Sequence, residues 1–347
     1  MCKYKFLFFI LVIFIKTGNV LSQDNIFNVN NIEIFNKSGS SNEDLTNSAI
    51  KSGYNKLLKK ILLSEDYTKL SDLNFSKIKE LVSYYQIATT DESDKENIVN
   101  FNIQFDKNKF HKLFYNRNLL YSEIQEKELY LLPILVKDDQ IFVYNDNYFY
   151  TNWNKVYESD LIDFILPIET IEVIQNLNLN KNNLYEIDLK EIFQEYSGKN
   201  LALILIEDIN PSQKKIYIQT LISDKNIYKN IKIKQSNLNN VNYSREIVKK
   251  ISDELINIIK SQNLIDIRTP SFLNTKFVTN NLNNLVDLKE RLSNIDAIDG
   301  IFVQEFNNRY ILLKIKYLGK LDRIIKKLKE QNILLRFSDD QWSFKII

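Results

Sequence analysis

The chain has 347 residues, 44% hydrophobic and 12% aromatic, enough to bury real cores and too apolar for a disordered polymer. Its formal charge of +2 gives no general affinity for nucleic acid. The only cysteine is Cys2, at the very start, so the body of the chain offers no disulfide framework, no thiolate zinc site and no cysteine nucleophile.

Residues 1–22 carry an export pattern. Lys3 and Lys5 precede an unbroken apolar run, Phe6 to Ile15, and Val20 and Ser22 have the small-residue spacing that a signal peptidase reads. A spanning helix needs about 20 apolar residues, and this run has 10. The expectation is a cleaved signal, with the mature protein starting near Gln23; the alternative is a membrane anchor through residues 6–21. Without Lys3, Lys5 and Lys16, 43 basic residues face 44 acidic ones, a net of −1.

The expected fold class is α/β (α+β overall), in three domains. Residues 23–120 read as an N-terminal α+β unit. It opens with a strand from Ile26 to Phe35 and the turn Lys37–Ser40. A helix then starts at Ser41, with Asp44 as a short-armed capping box. Its apolar positions, including Leu45, Ala49, Tyr54, Leu57, Leu58 and Ile61, keep helical spacing. A short helix carries Phe75 and Ile78. Strands Tyr84–Thr89 and Ile98–Phe105 flank the polar loop 91–97, and a helix from Lys107 to Asn116 ends the unit.

Residues 127–265 read as a central three-layer α/β domain. The runs Leu129–Val136, Leu161–Ile168 and Leu201–Ile206 are continuously apolar, as in parallel strands covered on both faces. Helical patterns lie between them, as at Leu189–Tyr196. Ile216–Ser223 and Ile231–Lys234 look like an added antiparallel pair, and a helix spans Ser244–Ser261. Residues 270–347 give the order βαββαβ with one extra strand, the pattern of a C-terminal ferredoxin-like unit. Its hairpin is expected to turn left-handed at Asn307-Asn308.

Chemistry-bearing residues are sparse. His111 is the lone histidine and reads as structural; a histidine triad or zinc site lacks its other members. No dinucleotide fingerprint, Walker loop or nucleophile elbow is present. Glu169, and Glu207 with Asp208, follow expected parallel strands, where α/β sheets place ligands; such acids also cap helices. The aromatic segment holding Tyr144, Tyr150 and Trp153 is a candidate groove lining or an anchor onto the core. A basic stripe, Lys314, Lys316, Lys320, Arg323, Lys326, Lys327 and Lys329, is either a solvated face or a contact for anionic headgroups or another acidic surface, with Lys320, Arg323 and Lys327 as candidates.

Several runs carry a family resemblance. Ala49-Ile-Lys-Ser-Gly53 leads to Leu57-Leu58, and Val99-Asn-Phe101 to Leu113. Leu131-Leu-Pro-Ile-Leu135 precedes Tyr144, Tyr150 and Trp153, then Ile165-Leu-Pro-Ile-Glu169. In this order the chain, from about Asn31 to its C-terminus, resembles the proteobacterial family catalogued as domain of unknown function 2066. It departs by two tryptophans replaced with tyrosine and an aspartate replaced with Glu169. The resemblance implies an exported envelope protein, working in the periplasm, and lends no activity. It implies a central domain similar to the α/β modules of periplasmic and outer-membrane assembly proteins. The resulting expectation is a non-catalytic assembly or scaffold factor that binds an envelope protein. It is expected to use no cofactor, metal or nucleic acid, and its oligomeric state stays open. The alternatives are a carboxylate-dependent envelope hydrolase or transferase using the central domain, and a protein bound to anionic membrane.

Overall fold

The computed structural model describes residues 25–36, 41–88, 98–124, 126–157, 159–210, 213–234, 240–279 and 281–347. The expected signal, the Lys37–Ser40 turn, Thr89 and the loop 91–97 lie outside them. Helices and strands are mixed throughout, an α+β class. The chain divides into two compact units: residues up to Leu58 with Ser71–Asn116, and Lys59–Leu70 with Arg117–Ile347.

In the first unit β1 (Asn28–Phe35) is followed by α1 (Asn42–Ile61). Then come α2 (Ser64–Ser71, mostly in the second unit and not anticipated), α3 (Phe75–Glu80), β2 (Val82–Ala88), β3 (Ile98–Phe105) and α4 (Lys107–Arg117). The strands form an antiparallel sheet ordered β1-β3-β2. The cap of α1 is reciprocal: Asp44 N–H donates to Ser41 Oγ (3.1 Å), and Ser41 N–H and Oγ–H donate to Asp44 Oδ2 (3.2 and 2.6 Å). Those bonds hold the Asp44 carboxyl below its ordinary range. Gly53 marks a close approach of α1 to the sheet. A Cβ there would lie 2.8 Å from Ile32 Cδ1 and 3.1 Å from Ile103 Cδ1, so any larger residue must displace them. His111 packs edge-on to Phe27 with ring centroids 5.9 Å apart.

The second unit begins with β4 (Tyr121–Ser122), β5 (Glu128–Lys137), β6 (Gln140–Phe142), α5 (Tyr148–Val156), β7 (Asp163–Ile165), α6 (Ile171–Leu179) and α7 (Leu189–Ile192). It continues with β8 (Leu201–Asn210), β9 (Gln213–Ile222), β10 (Lys225–Lys234), α8 (Asn240–Gln262) and β11 (Leu264–Ile265), the last pairing with β4. The central sheet runs β10-β9-β8-β5-β6, with β7 also on β5. β5, β7 and β8 are parallel, and β9 and β10 antiparallel, as the apolar runs require. Alternate residues of β5 and β8 feed two cores: Leu131 and Ile204 pack with α5 and α8 on one face, Leu132 and Leu203 with Leu177 and Leu189 on the other. The second apolar run is shorter than expected, because β7 ends at Ile165, ahead of Pro167, and Ile168 is 78% exposed.

Pro133 stands inside β5 without breaking it. On its free side β7 pairs only with residues 128–130 and β6 only with 135–137. The missing N–H therefore faces a gap, and Asn147 Nδ2 donates to the Pro133 carbonyl there (2.9 Å).

The C-terminal part holds β12 (Ser271–Val278), α9 (Leu282–Ser293), β13 (Ile298–Phe306), β14 (Tyr310–Tyr317), α10 (Leu321–Glu330), β15 (Ile333–Ser338) and β16 (Gln341–Ile346). Its sheet runs β13-β14-β12-β16-β15. The extra strand has a definite place: β16 turns back from β15 and inserts beside β12, parallel to it, leaving β15 at the edge. The two helices supply Leu288, Leu292, Ile324 and Leu328 to one face only.

Three hairpins turn through Asp138-Asp139, Ser223-Asp224 and Asp339-Asp340, all with φ between 49° and 60°. In a glycine-poor chain, short polar residues take the left-handed positions of these two-residue turns. The Asn307-Asn308 turn differs from expectation. Neither residue has positive φ; Asn307 Oδ1 instead accepts from the backbone N–H of Arg309 and Tyr310 (2.9 and 3.0 Å).

Candidate functional site

The aromatic segment is structural at two of its three positions. Tyr144 and Trp153 are 1% and 0% exposed and belong to opposite cores of the central sheet, so neither offers surface to a ligand. Tyr150 is half-buried, its phenol donating to Pro167 O (2.6 Å). Burial, then the neighbouring Glu169 charge, pushes its pKa up. The organising residue is Asn147, fully buried. It donates to Pro133 O and to Phe142 O (3.3 Å) and caps α5 by accepting from Phe149 N–H (2.9 Å).

The candidate carboxylates engage different partners. Glu169 is exposed and accepts from Asn145 Nδ2 (3.0 Å). Glu207 and Asp208 lie inside β8, opposite Lys215 and Lys214 of β9, and form ion pairs with them. The apolar run ends at Ile206 but the strand does not, because β8 continues past its parallel stretch to pair with β9. Among the described residues no three His, Cys, Asp or Glu side chains are spaced to hold a metal ion.

The basic stripe is not one surface. Lys314 and Lys316 sit on β14, whereas Lys320, Arg323 and Lys327 sit at α10, and strand and helix periods cannot keep them in line. Arg323 is 8% exposed, bonded to Glu123 and, at 3.4 Å, to Asp296, and it donates to Leu318 O (3.2 Å). Burial lowers its pKa. Arg323 is therefore a buried ion-pair hub and not a headgroup contact. Lys320 donates to Gln262 O (2.8 Å) and Lys327 pairs with Glu330 (3.4 Å). A cavity of about 220 Å³ beside this hub is lined by Glu126, Asn200, Gly319 and Lys326 among others.

Among the described residues of the second unit, two surfaces combine exposed aromatic rings with charged groups. The first is the face of the C-terminal sheet away from its helices. Strand alternation places Phe272, Lys276 and Val278 of β12, Phe302 of β13, Tyr310, Lys314 and Lys316 of β14, and Arg336 of β15 on that side. Phe272 and Phe302 are each 51% exposed. Lys314 stands over the Phe272 ring (4.5 Å) and Lys276 over Tyr310 (4.4 Å). Phe302 lies over Gly300, whose added Cβ would come 2.9 Å from Phe302 Cε2, so its ring rests along the sheet. The only carboxylate paired to this row of lysines is Asp299, on Lys316 (2.6 Å), among the described residues. Alternation alone reveals such a face; what hides it is that the basic stripe runs on from β14 into α10.

The second surface is a groove of about 590 Å³ over β9 and β10, floored by Tyr217 and Gln219 and flanked by Tyr185 and Tyr228. Glu207 touches it indirectly, because Tyr185 donates to Glu207 and accepts from Lys215 Nζ (2.7 Å). Burial, then that bond to Glu207, raises the Tyr185 pKa, while the bond to Tyr185 raises that of Lys215.

No family model and no curated protein matches the chain. A crystal structure of an uncharacterized protein is similar over 39% of this chain and 91% of that one, at 8% identity. Its TM-score of 0.18 is too low to carry an argument. Among the described residues no helix is long and apolar enough to cross a membrane.

Proposed function

We propose that this is an exported, non-catalytic protein of the cell envelope, a member of the family that its motifs resemble. It works in the periplasm and holds an envelope partner through the open face of its C-terminal sheet. The observation that carries the reading is that face: two half-exposed phenylalanines within a row of cations, on a sheet whose other side packs two helices. Such an aromatic and basic surface, with lysine stems lying on the rings, fits an acidic partner surface. The dispersal of the carboxylates weighs against the hydrolase or transferase alternative, since Glu169 and Glu207 engage different partners. The burial of Arg323 weakens membrane attachment through α10.

The test is crosslinking in intact cells, followed by purification of a tagged chain and of the same chain carrying Phe272→Thr and Phe302→Thr. The proposal expects a stoichiometric envelope protein with the first and its loss with the second. Recovery of the same partner by both versions contradicts the proposed face.

A further inference from the structure

We infer that the groove over β9 and β10 is a binding site for a neutral, hydroxyl-rich glycan. Tyr217 and Tyr228 are diagonal neighbours on adjacent strands, their rings 21° from parallel with centroids 6.3 Å apart. Tyr185 meets Tyr217 edge-on at 4.8 Å and closes one side. Tyrosine is suited to this place, because its ring presents an apolar surface while its hydroxyl stays hydrated or bonded. A sugar ring matches such a floor: its C–H face is apolar and its equatorial hydroxyls point sideways.

The rim supplies what those hydroxyls need. Asp188, Asp224 and Asn226 are exposed around the rings. Each carboxylate offers two acceptor oxygens, although Asp188 Oδ1 already accepts from Lys190 N–H (2.9 Å), and the Asn226 amide offers an acceptor beside a donor. Acceptors dominate, and the carboxylates Glu186, Asp188 and Asp224 outnumber the lone cation Lys190 in this wall. That balance repels acidic polymers and anionic headgroups and selects a ligand rich in O–H donors. A cavity of about 590 Å³ falls within the range of small-molecule sites, roughly 300–1,000 Å³, and has room for more than one sugar ring.

Two of the three rings are also fixed in advance. Tyr217 O–H donates to the Tyr185 carbonyl (3.1 Å), and Tyr185 is held at its hydroxyl by Glu207 and Lys215. A ligand stacking here orders little that is not already ordered, so more of the contact energy appears as affinity. This explains why Glu207 and Lys215 face each other at this end of the sheet: they position an aromatic wall. The site does not depend on the partner face of the C-terminal sheet, and either reading survives loss of the other.

The test is retention of the purified full chain on immobilised oligosaccharides: neutral cello-, malto- and chito-tetraose, and an acidic oligogalacturonate. The proposal expects retention by at least one neutral oligosaccharide and none by the acidic one. Tyr228→Ala is expected to weaken retention by about 10-fold or more, and Tyr228→Phe to restore it. Tyr228 is 55% exposed, so the alanine variant keeps its core. The proposal is overturned if no neutral oligosaccharide is retained, if the acidic one is preferred, or if Tyr228→Ala binds like wild type. Spermidine displacing the neutral sugar through a 1:1 site would also overturn it, by showing a cation cage instead.

Discussion

The central and C-terminal sheets differ in how many faces they bury. The central sheet is covered on both at β5 and β8, by α5 and α8 on one side and by α6 and α7 on the other, so these strands are apolar at nearly every position. The C-terminal sheet is covered on one, and β14 alternates strictly between Ile311, Leu313, Ile315 and the outward Leu312, Lys314, Lys316. Continuous apolar runs therefore mark strands buried on both faces, while alternation marks a strand with one side open. A substitution should act on stability in β5 and β8, and on binding at the open face of the C-terminal sheet.

The largest break is expected in the central sheet. Trp153→Ala removes a fully buried side chain from the core between α5 and α8 and should cost about 3–5 kcal/mol in denaturant unfolding. Arg323→Met comes next. It takes the guanidinium from between Glu123 and Asp296 and should cost roughly 3–5 kcal/mol, mostly from the acids left behind. Lys327→Ala on the same helix should cost only about 1 kcal/mol, because its pair with Glu330 is half exposed at the glutamate and the loss is mainly that of its packed stem.

A smaller effect is tied to pH. Lys260 Nζ donates to Lys59 O and to Leu62 O (3.0 Å), and burial lowers its pKa to about 8. The folded chain thus holds this proton less tightly than the unfolded chain, whose lysine titrates near 10.5. The burial penalty is fully present below pH 8 and is relieved as pH rises toward 10.5, so this group adds stability with increasing pH. The difference between wild type and Lys260→Met should change by roughly 2–3 kcal/mol across that window, in favour of wild type at high pH. A flat difference would place the charge in contact with water. A small effect on folding is expected for Phe272→Thr with Phe302→Thr, about 0.5 kcal/mol each, beside a large loss of partner recovery.

Most elements were legible where a single period dominated. The helix with Ile247, Ile251, Leu255 and Ile258, and the strands Ile298–Phe306 and Tyr310–Tyr317, stand at the positions their patterns dictate. What stayed hidden depended on tertiary partners. α2 has one fully buried residue, Leu70, and little apolar rhythm of its own. The place of β16 beside β12 follows from hydrogen bonding across the sheet, which no local pattern encodes. At the candidate sites, Glu207 stood out as an acid after an apolar run, yet its partners are Lys215, across the hairpin, and Tyr185, from a separate segment. Arg323 looked like its basic neighbours until burial separated it. Asn147 carried no signal, one asparagine among 44.

The most direct test of the partner face is site-specific photo-crosslinking in intact cells, with the probe at position 302 on the open sheet face or at 179 on α6. Leu179 is 86% exposed and serves as a surface control. A discrete adduct with an envelope protein from position 302, and none from 179, is the predicted result. Equal labelling from both positions, or adducts from 179 alone, would contradict the assignment of the C-terminal sheet as the working surface.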